Sequence, residues 1–274
     1  MISNRIKEKF KMLPITYKIL NENIQSKKVD FKTYKYGENI KQYYRVYNGD
    51  INKPIIFFIH GGGWWHGSPK TSSYIGKFFC DKGYTVVLPA YRLAPLYKYP
   101  EQINDVFTAI SHYLSNQCKI GNKKIIVMGF SAGGELATNI VFNFKKQKEF
   151  NIKKNIFCGL ITLAGVLDFE KCKSKHSVLL IENYLGKELS LIEINPIKLL
   201  ENNDINIPVL CLHGKKDPLI DIENSISFVN KIRDLGGNAK LKILEDKYHS
   251  DIITLVIGKG ENESKIILDF IEDI

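Results

Sequence analysis

The sequence predicts an α/β fold: a mainly parallel central sheet with helices on both faces and a small cap. Two observations predict it. Strand-like runs recur near residues 41–47, 54–60, 84–90, 124–129, 157–163, 208–213 and 240–245, with helix-periodic stretches between most of them. Glycine-rich turns follow the runs 54–60 and 124–129 directly, at the strand ends where such sheets gather their chemistry. The chain of 274 residues suffices for one sizeable core, and a single domain over residues 1–274 is expected.

Taken in order, residues 1–40 are polar and interrupted by Pro14, and they read as a short helical extension. Pro54 to Ile59 is a continuous apolar run, the mark of a strand buried on both faces. Ile103, Val106, Phe107, Ile110 and Leu114 carry helical spacing over 100–115. Ile125 to Met128 is again a strand, and Leu136, Ala137, Ile140, Val141 and Phe144 give the helix after it. Residues 167–205 break the alternation with apolar content that includes Val178, Leu179, Leu180, Ile181, Tyr184, Leu185, Leu191 and Ile192. Long apolar connections of this kind act as lids, so 1–40 and 167–205 are both expected in the cap. Ile222, Ile226, Val229 and Ile232 mark a helix over 222–235, and Ile266, Ile267, Phe270 and Ile271 a closing one.

Composition narrows the class. The hydrophobic share of 44% and charged share of 25% are those of ordinary globular chains. No apolar stretch approaches the ~18 residues of a membrane span. Arg5, Lys7, Glu8, Lys9 and Lys11 without an apolar block argue against a secretory leader, and a cytoplasmic address is expected. The five cysteines include no Cys-x-x-Cys pair and are odd in number, against a disulfide framework. Net charge is +10, but the lysines are spread along the chain among acids and no nucleic-acid motif accompanies them. No nucleic-acid partner is expected.

The chemistry concentrates at Gly129-Phe130-Ser131-Ala132-Gly133-Gly134. A serine on a strand-to-helix turn is held strained and exposed, and the residues two before and two after it must be tiny. Gly129 and Gly133 satisfy that demand. Upstream, His60-Gly61-Gly62-Gly63-Trp64-Trp65-His66-Gly67 follows a strand. Backbone N–H groups stabilise a developing oxyanion only where no Cβ holds the backbone away, so Gly62, Gly63 and the N–H of Ala132 are the candidate donors. No Gly-Lys-Ser/Thr follows the loop and the dinucleotide spacing is missing, against a phosphate cradle. Trp64 and Trp65 flank the loop, as a pocket wall or as packing beneath it.

These residues, with Tyr91-Arg92-Leu93-Ala94-Pro95, Tyr99-Pro100, Asn104-Asp105, His213-Gly214 and Asp217-Pro218-Leu219, resemble the α/β-hydrolase superfamily over roughly residues 40 to 274. Within it the chain is most similar to the hormone-sensitive-lipase-like carboxylesterases and their acetyl-esterase and formamidase relatives. Phe130 stands where that group usually has an acidic residue, and Ser250 follows His249 where many relatives have Gly-Phe. The resemblance implies an α/β-hydrolase fold, hydrolysis of a small-molecule ester without metal or organic cofactor, and pairing of two copies through edge strands or helices.

A serine nucleophile needs a base, and the base needs an orienting group. His249 follows the last strand-like run, near the C-terminus where the fold places its base. Asp217, just past the strand 208–213, is the favoured acid, with Asp168 the runner-up. Asp221, Asp246 and Asp251 read as helix-start or loop residues, Asp105 as structural, His60 as a brace of its loop and His213 as packing. The reaction expected is attack of Ser131 on a small or medium acyl ester, through an acyl-enzyme. An amide-type hydrolase such as a formamidase stays open. So does a noncatalytic receptor on the same fold, although such receptors lack the histidine that this chain keeps.

Overall fold

The computed structural model describes residues 17, 19–24, 29–118, 124–186, 194–201, 205–257 and 264–274. Eight strands form its sheet: β1 (Lys32–Lys35), β2 (Tyr43–Tyr47), β3 (Ile55–Ile59), β4 (Thr85–Pro89), β5 (Ile125–Phe130), β6 (Phe157–Leu163), β7 (Val209–Gly214) and β8 (Ala239–Leu244). They lie in the order β1-β2-β4-β3-β5-β6-β7-β8. β2 runs antiparallel to β1 and β4, and every other pairing is parallel.

The inner strands are apolar throughout because both faces are covered. Side chains alternate across a strand, so Ile55, Phe57 and Ile59 of β3 enter the core on one face while Ile56 and Phe58 enter the core on the other. The first core is closed by α2 (Glu101–Asn116), α3 (Ala132–Phe142), α5 (Lys175–Leu185) and α6 (Ile222–Asp234). The second is closed by α1 (Ser73–Cys80), α7 (His249–Ile253) and α8 (Ser264–Glu272). A short α4 (Phe144–Glu149) extends α3, its start capped by the Asn143 side chain, which accepts from Lys146 N. No described helix is long and apolar enough to cross a membrane.

The first forty residues depart from expectation. Lys32–Lys35 form an edge strand paired with β2, so this part belongs to the sheet and not to a helical cap. Its sequence, KTYK, has no apolar alternation because an edge strand faces solvent, and edge lysines protect it from further pairing. Residues 19–24 are helical. Asn23 docks them onto the start of α1, accepting from Tyr74 N at 3.1 Å and donating to Thr71 O at 3.1 Å. Arg5 to Lys11 and Pro14 lie outside the described residues.

The insertion 167–205 contains a 3-10 turn at Phe169–Lys171, α5, and a second 3-10 turn at Pro196–Leu200. Leu191 and Ile192 lie outside the described residues. Asp221 holds the start of α5, its Oδ2 accepting from Lys173 N at 2.7 Å and Ser174 N at 2.9 Å.

Candidate active site

Ser131 sits between β5 and α3 with φ 52° and ψ −120°, a left-handed conformation that costs a non-glycine residue about 1–3 kcal/mol. The turn is pinned on both sides. Ser131 N donates to Leu163 O at 2.9 Å, and Gly134 N donates to Ser131 O at 2.8 Å. A Cβ on Gly129 would stand 2.1 Å from Gly133 O, and one on Gly133 would stand 2.2 Å from Ile59 O. The two glycines are therefore required by backbone against backbone, as the sequence pattern predicts.

The glycine loop lies directly on this turn. A Cβ on Gly61 would fall 2.7 Å from Phe130 O and 3.1 Å from the Ser131 Cβ. Gly62, Gly63 and Trp64 all have positive φ, at 115°, 58° and 62°. His60 braces the loop: its Nδ1 contacts Gly61 O at 2.8 Å and its ring stacks on Tyr91 at 4.3 Å. Tyr91 in turn donates its hydroxyl to His60 O at 2.9 Å. Burial pushes the His60 imidazole down to about 4, which keeps it neutral at physiological pH. Ala132 is the first residue of α3, where N–H groups have no partner inside the helix and the helix dipole is positive.

The candidate acid and the candidate base meet. His249 Nδ1 and Asp217 Oδ2 are 2.6 Å apart, and the His249 ring lies 5.1 Å from the ring of Phe130, the residue before Ser131. His249 is the first residue of α7, whose start is fixed by Asp251 accepting from Tyr248 N at 2.8 Å. The Asp217 side chain is fully buried, and its Oδ1 accepts from Leu219 N and Ile220 N, each at 2.9 Å. Burial alone would raise its carboxyl, but the charge and hydrogen bonds of His249, together with His213, outweigh it and hold the group well below the usual carboxylate range. Asp168 is engaged elsewhere. Its carboxylate accepts from Asn195 Nδ2 at 2.8 Å, from the Ser227 hydroxyl at 2.7 Å and from Glu170 N at 3.1 Å, tying the insertion to α6.

Three contacts were not legible in the sequence. His213 is more than packing: its Nε2 lies 3.2 Å from Asp217 Oδ2 and 3.1 Å from Ile220 O, and its Nδ1 meets the Ser225 hydroxyl at 2.8 Å. The four-residue spacing of His213 and Asp217 across Gly214 is the signal that could have found it. The tryptophans separate. Trp64 is 1% exposed and stacks on Tyr184 of α5 at 4.3 Å, so it packs beneath the loop and forms no pocket wall, whereas Trp65 is 56% exposed. Finally, Leu180 of α5 meets Gly63, where an added Cβ would stand 2.8 Å from its methyl carbon. Asp105 is structural as expected, its carboxylate accepting from Arg92 Nε and Nη2 and from Gln42 Nε2. Among the described residues no group of three His, Cys, Asp or Glu could hold a metal ion.

Strand order, the single reversed inner strand and the serine elbow after β5 define the α/β-hydrolase fold. The chain belongs to the BD-FAE family, which it matches over residues 42–232. It is 26% identical over 197 residues to the esterase LipC of Mycobacterium tuberculosis, covering 66% of this chain and 48% of that one. It is 34% identical over 122 residues to arylacetamide deacetylase of Bos taurus, covering 42% and 31%. The crystal structure of esterase B from Lactobacillus rhamnosis superposes with a TM-score of 0.74 at 17% identity, covering 98% of this chain and 95% of that one, a likeness of fold. This chain spans about half or less of the length of these two curated relatives.

Proposed function

We propose that the protein is a serine carboxylesterase acting on small to medium acyl esters through an acyl-enzyme. The observation that carries this reading is the 2.6 Å contact between His249 and Asp217, with the His249 ring 5.1 Å from that of Phe130, the residue before a serine at φ 52°. Ser131 attacks the ester carbonyl while His249 Nε2 takes its proton, and Asp217 keeps the proton of the ring on Nδ1 and stabilises the imidazolium. The N–H groups of Gly62, Gly63 and Ala132 receive the oxyanion. His249 then protonates the departing alcohol, and water activated by the same ring releases the acid. The insertion 167–205 serves as the cap. Its Leu180 on Gly63 and its Tyr184 on Trp64 support that role.

Replacing Ser131 by alanine should abolish turnover of p-nitrophenyl acetate and butyrate and labelling by a fluorophosphonate, with the melting temperature kept, since alanine carries the same Cβ at φ 52°. A variant that hydrolyses at the wild-type rate would end the assignment. The similarity to a protein named as an arylacetamide deacetylase favours one second reading, an amide substrate. Aryl esters of increasing acyl length compared with the matching aryl amides decide between the two.

A further inference from the structure

Glu135 lies in the first turn of α3, four residues after Ser131, and is fully buried. Buried carboxyls are normally paired with a cation. Here the partners are neutral. Oε2 accepts from the indole N–H of Trp64 at 3.1 Å and from the Tyr184 hydroxyl at 3.3 Å, and Oε1 accepts from Asn139 Nδ2 at 2.7 Å. The three donors come from different parts of the fold. Asn139 belongs to α3, Trp64 follows directly on Gly63 in the glycine loop, and Tyr184 belongs to α5 of the insertion. Trp64 and Tyr184 are also stacked face to face, with ring planes 2° apart, so the one carboxyl closes a bracket around both rings.

We propose that Glu135 is a positioning residue that fixes the glycine loop and α5 against the serine helix. Trp64 holds a left-handed backbone at φ 62°, which persists only where its surroundings over-determine it. The indole hydrogen bond to Glu135 supplies that constraint one residue from the N–H of Gly63. The same carboxyl docks Tyr184, and α5 thereby keeps Leu180 on Gly63. Burial pushes the carboxyl up to about 8, so at neutral pH it is largely protonated; glutamine matches its charge and shape and keeps a carbonyl for Trp64 and Tyr184, while its NH2 faces Asn139, whose amide must turn to accept. The groups that face it, Tyr184, Tyr91 and Tyr99, are themselves neutral there, each raised chiefly by burial.

Glu135→Leu, Glu135→Gln and Tyr184→Phe test this by two independent readouts. The first is kcat and KM on p-nitrophenyl acetate, and it rests on the esterase reading above. A displaced donor is felt in the transition state, so Glu135→Leu should lower kcat by about 10²-fold with little change in KM, while Glu135→Gln recovers most of the loss. The second is hydrogen exchange, which needs no activity. Peptides spanning 61–67 and 175–185 should exchange faster in Glu135→Leu, and those spanning 175–185 faster in Tyr184→Phe, should the leucine variant fail to fold. A folded Glu135→Leu protein with wild-type kcat overturns the proposal, as does unchanged exchange in both segments. If the wild type turns over no ester, the function reading fails and exchange alone decides on Glu135.

Discussion

Replacing Asp217 by asparagine isolates the tautomer control of His249 from the folding of the loop that carries the acid. Oδ1 receives two backbone N–H groups, from Leu219 and Ile220, each at 2.9 Å. An asparagine that turned its amide NH2 toward them would oppose donor to donor, so its carbonyl must keep that side. The NH2 then takes the place of Oδ2, 2.6 Å from His249 Nδ1. Two donors cannot face each other there either, and the imidazole must move its proton to Nε2. In that tautomer Nε2 cannot accept from Ser131. The expected loss in kcat is about 10⁴-fold, or about 5 kcal/mol of transition-state stabilisation. Steady-state hydrolysis of p-nitrophenyl acetate measures it, with circular dichroism to show that the loop hydrogen bonds still support the fold. Retention of more than about a tenth of the wild-type kcat, a loss under about 1.4 kcal/mol, would refute the tautomer argument.

Gly129→Ala should destabilise by about 3 kcal/mol or more, because the new Cβ meets a carbonyl oxygen at 2.1 Å and backbone cannot rotate away; urea denaturation reads it. His213→Asn withdraws a donor from the Asp217 carboxylate and should lower kcat by about tenfold, with a shifted acid limb of the rate profile; an unchanged profile would return His213 to mere packing. Stability should depend on pH through two buried groups of opposite sign. Glu135, raised from 4.5 to about 8, binds more protons folded than unfolded in that interval, so its contribution is intact below 4.5 and lost as pH rises through 8. His60, lowered from 6.5 to about 4, contributes above 6.5 and loses that contribution as pH falls through 4. Melting temperatures of the wild type and Glu135→Gln across pH 4 to 9 should converge at acid pH and part on the alkaline side.

The strands of the inner sheet were legible because burial on both faces writes itself as uninterrupted apolar sequence: Ile55 to Ile59, Ile125 to Met128 and Val209 to Leu212 needed no context. β1 was not legible, since the strand Lys32–Lys35 is defined by its hydrogen bonds to β2 and carries no apolar pattern of its own. Trp64 and Trp65 are identical neighbours in the sequence, and only packing against Tyr184 sets one inside and the other in solvent.

By itself the sequence determined the serine turn and the glycine loop. The signal is local at Gly129 and Gly62, where a Cβ would strike the carbonyl four residues on, of Gly133 and of His66. Tertiary structure alone decided which carboxylate meets His249, and that Glu135 joins the serine helix to Trp64 and Tyr184. Those are encounters between side chains 32, 71 or 49 positions apart. Hydrogen bonds act over about 3 Å whatever the separation along the chain, so they exist only once the sheet has brought the ends of β3, β5, β7 and β8 to one edge.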